Sequence, residues 1–281
     1  MKKCISVVLI ICLVFSLAGC SDKSASKQAI DATTNNNAAE ITEEAAAPAA
    51  KEETILIAAA ASLKNCVSDE LIPMFETKYP NIKVDATYDS SGKLQTQIEE
   101  GADVDVFMSA AMKQMNALDE KELMVTDSIV KLLENKIVLI VPKDSDKNIT
   151  SFEDILKADT IAVGDPESVP AGQYAKETFE NLKIWDQVTI KSSLGTNVTE
   201  VLNWVAEGSA DAGVVYATDA ASNENIQVVA EAPEGSVSKV IYPVGIVKAS
   251  EKQESAKLFI EFLHSEEAMS VFEKYGFIAV R

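Results

Sequence analysis

The 281-residue chain has few of the residues from which proteins build reactive centres. Its one histidine is His264, which fits a solvated helix end far in sequence from any candidate serine. Three of its four cysteines, Cys4, Cys12 and Cys20, lie at the N-terminus, which leaves Cys66 without a disulfide partner and without a zinc-type spacing. No Gly-x-Ser-x-Gly turn is present for an esterase-type nucleophile. These absences favour a binding protein over an enzyme.

Two patterns that resemble catalytic motifs are incomplete. Ser91-Gly92-Lys93 is similar to the end of a phosphate-binding loop, but Thr87 and Leu94 stand where that motif needs Gly and Ser or Thr. Asp103 and Asp105 are spaced like a metal pair, yet their alternation with valines indicates one face of a strand entry. We expect no resident cofactor and no enzymatic activity.

Positive charge is also scarce, because 25 Lys and Arg face 44 Asp and Glu and the formal net charge is −19. Such an acidic balance disfavours nucleic acid or anionic lipid as a partner. It is awkward for a protein that binds an anion, unless local geometry outweighs the global charge.

The N-terminus is predicted to be a processing segment. Lys2 and Lys3 precede an apolar stretch, Ile5–Leu17, that is shorter than the roughly 20 residues of a membrane-spanning helix. This arrangement indicates a secretory signal over 1–19. The ending Leu17-Ala18-Gly19-Cys20 resembles the lipobox of bacterial lipoproteins, which implies that Cys20 is lipidated and becomes the new N-terminus. The alternative is an uncleaved anchor, and in both cases we expect an extracytoplasmic protein at the outer face of the cell membrane.

Residues 20–53 are predicted to be a flexible tether. From Ser21 to Glu53 the sequence is rich in Ala, Asn, Thr, Glu and Lys and contains no aromatic residue, so it cannot bury enough apolar surface to order itself. As a flexible coil it would reach roughly 30 Å. The remaining segment, Thr54–Arg281, is long enough for one large domain or two lobes.

Short apolar runs alternate with amphipathic stretches along the remaining chain, which is typical of an α/β protein with mostly parallel strands. Pro142 and the polar loop after it suggest a passage between lobes, with 54–142 plus 238–281 as lobe 1 and 143–237 as lobe 2. The predicted strands are Thr54–Ala59, Ile82–Tyr88, Val104–Ser109, Lys136–Val141, Thr160–Val163, Val188–Lys191, Ala212–Tyr216, Ile226–Ala230 and Val240–Val247. The predicted helices start at Ser62 (kinked at Pro73), Ser91, Ala111, Gly172, Val198, Glu251 and Glu266.

Four places combine a strand end, a small or hydroxyl residue and a helix start. They are Ala60-Ala61-Ser62, Ser90-Ser91-Gly92, Pro170-Ala171-Gly172 and Thr196-Asn197-Val198. A helix start offers unpaired N–H groups and a partial positive charge, and open α/β sheets bind ligands beyond the carboxyl ends of their strands. Each turn alone is an ordinary helix cap, but four together indicate an anion site.

Several segments resemble, in order, the molybdate-binding proteins of ABC transporters. The segments are Ala58–Leu63, Ser90–Leu94, Asp105–Ala110, Ala162–Lys176, Gly213–Ala220, Tyr242–Val244 and Tyr275–Phe277. The most specific of them runs from Gly164-Asp165-Pro166-Glu167 to Pro170-Ala171-Gly172. The resemblance extends over the whole of Thr54–Arg281.

The resemblance implies a two-lobed periplasmic-binding-protein-like fold of type II, with mixed, mostly parallel sheets flanked by helices and the ligand in the interlobe cleft. The implied ligand is molybdate or tungstate, held as an oxyanion by neutral donors. Ser62 and Ser91 would bind it from lobe 1, Ala171 and Val198 through backbone N–H groups from lobe 2, and Tyr216 through its hydroxyl. The implied partners are an ABC permease with its ATPase, and the chain is expected to be a monomer.

Two positions depart from the family pattern, and two other ligand classes stay open. Lys93 stands where the family often has a small residue, and we interpret it as a solvated side chain or, alternatively, as positive charge at the cleft mouth. Cys66 replaces a common Ala and should matter only for packing. Sulfate or phosphate is the alternative ligand, and a surface interaction protein that has lost its ligand is the third class.

Overall fold

The computed structural model describes residues 52–280. The predicted signal 1–19, the lipidated Cys20 and all of the predicted tether except its last two residues lie outside the described residues. The first strand starts at Glu53. Within the described part of the chain, no helix is long and apolar enough to cross a membrane.

The first of two sheets has six strands in the order β11-β4-β10-β3-β1-β2. Strand β1 runs parallel to both of its neighbours, whereas β10 runs antiparallel to β3 and β4. The strands of this sheet are β1 Glu53–Ala60, β2 Ile82–Asp89, β3 Val106–Met108, β4 Val130–Asn135, β10 Val240–Ile246 and β11 Ile278–Ala279. The central strands are buried on both faces, which explains their continuous apolar runs.

The second sheet has five strands in the order β7-β6-β8-β5-β9. Strand β6 is parallel to β7 and β8, and β5 is antiparallel to β8 and β9. The strands are β5 Ile137–Pro142, β6 Ile161–Gly164, β7 Ser192–Gly195, β8 Ala212–Tyr216 and β9 Ile226–Glu231. Both sheets are therefore mixed, as predicted, but they are not mostly parallel, because four strand pairs are parallel and five are antiparallel.

Ten α-helices flank the sheets within the described residues. They are α1 Lys64–Cys66, α2 Ile72–Lys78, α3 Ser91–Glu99, α4 Met112–Glu120, α5 Pro170–Asn181, α6 Trp185–Lys191, α7 Val198–Ala206, α8 Ala217–Ala221, α9 Gln253–Leu263 and α10 Glu266–Lys274. The helix start predicted at Ser62 corresponds to a 3₁₀ turn, Ala61–Leu63, and a π-helical segment, Val67–Leu71, separates α1 from α2. Pro73 lies in the first turn of α2, directly after this π-helical segment, so the irregular part of the helix immediately precedes the proline.

The passage between the sheets lies earlier than the sequence pattern indicated. We predicted one strand, Lys136–Val141, in lobe 1, but Val130–Asn135 is a separate strand of the first sheet and Ile137–Pro142 belongs to the second. The chain crosses from the first sheet to the second at Lys136, the single residue between the two strands. The sequence pattern missed this crossing because so short a connection leaves no turn signal. It returns to the first sheet between β9 and β10.

The strand predicted at Val188–Lys191 is wrong, because Trp185–Lys191 is the helix α6 and the strand β7 follows it at Ser192–Gly195. The β-branched residues suggested a strand, but Val188 is fully buried while Ile190 is 84% exposed. Packing of one helical face therefore overrode the local strand propensity.

Close packing of α5 against β6 depends on two glycines. A Cβ atom at Gly172 would overlap the carbonyl oxygen of Gly164, and a Cβ atom at Gly164 would overlap the side chain of Val169. The absence of side chains lets the helix start at the end of the strand, and thereby sets the position of Pro170 and Ala171.

We predict that Gly172→Ala destabilises the protein by about 1–3 kcal/mol, because the added methyl group must displace backbone. Thermal unfolding should show a midpoint several degrees lower than in the wild type. Glu180→Ala, an exposed change on the same helix, should shift the free energy of unfolding by less than about 0.5 kcal/mol. Equal midpoints for both variants would contradict the packing argument.

Candidate functional site

The helix starts that follow four strands meet at one cavity between the two sheets. The five residues predicted from the sequence all line it, namely Ser62, Ser91, Ala171, Val198 and Tyr216. Only about 10 Å³ of it is open to the centre of a water-sized sphere. The cavity has room for one small ion rather than for an organic solute.

Ser91 is the first residue of α3, and its hydroxyl oxygen already accepts one hydrogen bond from the protein. The Ala110 amide donates to the Ser91 Oγ at 2.9 Å, and Ser91 is fully buried. Because the oxygen accepts from behind, the hydroxyl proton is free to point into the cavity. Ser91 can therefore act as a donor to a bound oxyanion.

Ser62 is held by a tyrosine that sequence reasoning did not assign to the site. Ser62 Oγ and the Tyr242 hydroxyl lie 2.9 Å apart, and Asn135 Nδ2 donates to the same tyrosine oxygen at 3.3 Å. If Tyr242 accepts from Asn135, its single proton is available for Ser62 Oγ, and the Ser62 proton is again free for the cavity. Asn135 Nδ2 also donates to Thr218 Oγ1 at 2.9 Å, so this chain of bonds spans the crossing between the sheets.

Two buried hydroxyls in the lining have no partner within the described residues, the Tyr216 hydroxyl and Ser90 Oγ. A buried polar group without a hydrogen bond costs about 1–3 kcal/mol. Burial raises the pKa of Tyr216 well above its ordinary value, so the phenol keeps its proton and is available as a donor. Ser90 was missed as a site residue, although its place beside Ser91 at a helix start was a signal.

Ala171 and Val198 have no polar side chain, and only their backbone amides can contact a ligand. Both lie in the first turn of a helix, α5 and α7, where N–H groups have no partner within the helix. Asn197 caps α7 by accepting from the Glu200 amide at 3.0 Å, which engages its side chain and leaves the Val198 amide free. The partial positive charge of the two helix starts adds to these donors.

A carboxylate also lines the cavity and was not identified from the sequence. Asp89 Oδ1 accepts from the Ser90 amide at 2.7 Å and pairs with Lys93 Nζ at 3.3 Å. Lys93 is partly exposed, is paired with this carboxylate and is not among the residues that line the cavity. It offsets the negative charge of Asp89, which would otherwise repel an anion.

The remaining candidates are accounted for by structural roles. Asp105 is fully buried and accepts from the Leu56 amide at 2.7 Å and from Lys252 Nζ at 3.1 Å. His264 ends α9 and is exposed. Burial raises the pKa of the Cys66 thiol to about 12, as expected of a packing residue. Within residues 52–280, no group of three or more His, Cys, Asp or Glu side chains could hold a metal ion.

One buried acid lies next to the site residues in sequence. Asp219, in α8, is 8% exposed, and its Oδ2 atom has no partner within the described residues. Burial raises the pKa of this carboxyl to about 7. The pKa of Tyr242 is also raised, first by burial and then by the Asp219 charge.

Two mixed sheets with helices on their faces, two crossings and one small cavity between the sheets define the class of a two-lobed extracytoplasmic solute-binding protein. A sequence model described as bacterial extracellular solute-binding protein matches residues 55–278, and the chain belongs to that family. The family consists of solute-binding proteins and is not a family of enzymes.

Two sequence relatives and one solved structure are similar over most of their lengths. YvgL of Bacillus subtilis (strain 168), provisionally named as an ABC transporter substrate-binding lipoprotein, is 44% identical over 75% of this chain and 81% of its own. The molybdate-binding protein ModA of Haemophilus influenzae is 38% identical over 71% of this chain and 80% of its own. A structure titled as the substrate-binding domain of a molybdenum ABC transporter, provisionally assigned, from Clostridium difficile has a TM-score of 0.63 and 41% identity. It covers 82% of this chain and 100% of its own.

We predict that Asp219 lowers stability as the pH rises. The folded protein keeps this carboxyl protonated up to about pH 7, whereas the unfolded chain releases the proton near the ordinary value of 3.8. Between these values the folded state binds more protons, so the free energy of unfolding falls with pH, by as much as about 4 kcal/mol.

Urea unfolding of the wild type and Asp219→Asn at pH 5, 6, 7 and 8 measures this effect, since other titrating groups cancel in the difference. The variant should gain stability relative to the wild type as the pH rises. A difference that stays constant over this range would refute the prediction.

Proposed function

We propose that the protein captures molybdate, and also tungstate, outside the cytoplasm and delivers it to an ABC import permease. The observation that carries the proposal is the set of neutral donors around one small cavity, contributed by both lobes. The hydroxyls of Ser62, Ser91 and Tyr216 and the amides of Ala171 and Val198 would replace the water around the ion. The names of the relatives support the choice of ligand.

Five bonds to a charged group would contribute about 7–15 kcal/mol, at roughly 1.5–3 kcal/mol each. Part of this is offset by the entropy of association and of closing the lobes. A dissociation constant between micromolar and nanomolar, about −8 to −12 kcal/mol, is a reasonable balance. The net charge of −19 matters less than these contacts, because charges further away than about 8 Å are screened by physiological salt.

Donors without an acceptor select a fully deprotonated dianion. A hydrogen phosphate would leave its own hydroxyl unpaired, at a cost of about 1–3 kcal/mol. Sulfate passes this criterion, so size has to exclude it. A cavity fitted to the longer oxygen bonds of molybdate and tungstate would hold the smaller sulfate ion loosely.

Asp89 supports a second candidate, a protonated oxyanion such as hydrogen phosphate. Its carboxylate lines the cavity, and a carboxylate can accept the proton that a dianion lacks. The Ser90 amide and Lys93 Nζ both donate to the Oδ1 atom, so Oδ2 is the atom that would accept such a proton. Sulfate remains the other alternative.

The donors lie on opposite sides of the cavity, with Ser62 and Ser91 next to the first sheet and Ala171, Val198 and Tyr216 at the second. A ligand contacts both sides only when the cleft is closed, so it has a higher affinity for the closed state, as a ligand-driven change requires. The permease could recognise this closure. A lipid on Cys20 and the tether 20–53 would keep a monomeric protein at the membrane without enzymatic activity of its own.

Calorimetric titration of the purified full-length protein with molybdate, tungstate, sulfate and phosphate tests the proposal. Molybdate and tungstate should bind with micromolar or tighter dissociation constants, and sulfate and phosphate should bind at least about tenfold more weakly. Tightest binding of phosphate would favour the Asp89 candidate. Absence of binding by all four anions would reject an oxyanion-binding function.

Three tyrosine substitutions should rank the roles of the hydroxyls. Tyr216→Phe removes a direct donor and should weaken molybdate binding by about tenfold to a hundredfold, equivalent to 1.5–3 kcal/mol. Tyr242→Phe removes the support of Ser62 and the bond from Asn135 but no direct donor, and should weaken molybdate binding by less.

The matched control is Tyr79→Phe, because Tyr79 lines a different surface pocket and not the cavity. It should leave the dissociation constant unchanged in the same titration. An equal loss for all three variants would mean that the affinity reports overall stability rather than the geometry of the site.

A further inference from the structure

Within the described residues, two hydrogen bonds join α3 and α4 beside the first sheet to α5 and the loop before it beside the second sheet. The Gly92 amide donates to the Ser168 carbonyl oxygen at 2.9 Å. Gln114 Nε2 donates to Gln173 Oε1 at 3.1 Å. Gly92 and Gln114 lie on α3 and α4, which pack beside the first sheet. Gln173 lies on α5 beside the second sheet, and Ser168 lies in the loop that leads into that helix. We refer to these two bonds as the closure contacts.

The close approach of α3 to the loop of the second lobe requires that residue 92 has no side chain. A Cβ atom there would overlap the Ser168 carbonyl oxygen and lie 2.7 Å from the Ser168 Cα atom. Real Cβ atoms essentially never approach other atoms so closely. The backbone of Gly92 does not lie in the left-handed region, so alanine fits the local helix and conflicts only with the opposite lobe.

The loop that Gly92 meets is firmly held and cannot move aside at low cost. The amides of Ser168 and Val169 both donate to the Asp165 carbonyl oxygen, at 3.1 and 2.7 Å, and the Asp165 amide donates to Gly195 O at 2.8 Å. A displaced loop would break these bonds and would also shift the start of α5, where Ala171 presents its amide to the cavity.

The Gln114–Gln173 bond lies at a neighbouring point of the same face. Gln114 is only 2% exposed, although glutamine is rarely buried. The remaining amide atoms of the pair, Gln114 Oε1 and Gln173 Nε2, are buried and have no partner within the described residues. The pair therefore forms one hydrogen bond across the lobes, while two of its polar atoms lose their hydrogen bonds to water. This loss destabilises the contact, so we expect the contact to be retained because it serves the closed state.

We infer that Gly92 is a positioning residue for lobe closure, and that the closure contacts, which do not touch the ligand, set the affinity by determining how closely the two lobes approach. This inference rests on the proposed function, because it assigns the approach of the lobes to ligand capture. Gly92 would be required at this position for the contact across the cleft and not for the conformation of its own helix.

Trp204 offers a probe of closure that does not depend on affinity. It lies on α7 of the second lobe in a groove that Ala61, Lys64 and Tyr88 of the first lobe also line. Its fluorescence should change when the lobes approach. The other tryptophan, Trp185, lies on α6 and can be replaced by phenylalanine so that Trp204 reports alone.

The test compares Gly92→Ala with the matched control Gln97→Ala, an exposed change on the same helix, in the full-length protein with the Trp185→Phe background. Calorimetry and Trp204 fluorescence are measured during titration with molybdate and tungstate. Gly92→Ala should weaken binding at least tenfold and reduce the fluorescence change, while its thermal midpoint without added ligand stays equal or rises because alanine favours the helix. Gln97→Ala should match the parent protein in both readouts.

A second variant, Gln173→Ala, removes the other closure contact without adding an atom, and should weaken binding about two- to tenfold with a smaller fluorescence change. It remains decisive if Gly92→Ala does not fold. Parent-like affinity and fluorescence in the folded variants would overturn the inference and leave the proposed function intact. If the parent protein binds neither molybdate nor tungstate, the proposed function fails and the inference fails with it.

Discussion

The structure depends on hydroxyl groups around one cavity, which either hydrogen-bond to the protein on one side or lie buried without a partner within the described residues. Ser91 accepts from the Ala110 amide, and Ser62 is supported by Tyr242. The Tyr216 hydroxyl is buried with no partner within the described residues. A buried hydroxyl without a partner costs free energy until an acceptor reaches it, so the Tyr216 hydroxyl is the donor that the proposed anion would satisfy most directly.

Close backbone packing makes this arrangement possible. Gly172 allows α5 to start against β6, and thereby brings the Ala171 amide to the edge of the second sheet. Gly92 allows α3 to approach Ser168 across the cleft. The first glycine serves the interior of one lobe and the second serves the contact between lobes. Two residues of the same type therefore have different consequences, which only their neighbours distinguish.

Local patterns in the chain were sufficient for most elements and insufficient where two signals competed. The apolar runs before Ser62 and Ser91 predicted strands followed by helix starts, because both signals are local. The strand predicted at Val188–Lys191 was wrong, since β-branched residues are compatible with a helix when one face of the helix packs against the core. The predicted lobe of Ile137–Pro142 was wrong as well, because the sheet to which a strand belongs depends on long-range pairing, which leaves no local trace in the sequence.

By itself the sequence determined the alternation of strands and helices, the helix starts with free amides and the shortage of metal-binding or nucleophilic side chains, since all of these are properties of neighbouring residues. Only the tertiary structure decided that Tyr242 and Asn135 support Ser62, that Asp89 lines the cavity with Lys93 beside it, and that the lobes touch through backbone at Gly92. Most of these contacts join residues far apart in the chain. Their distances are set by how the two sheets pack, which no local pattern encodes.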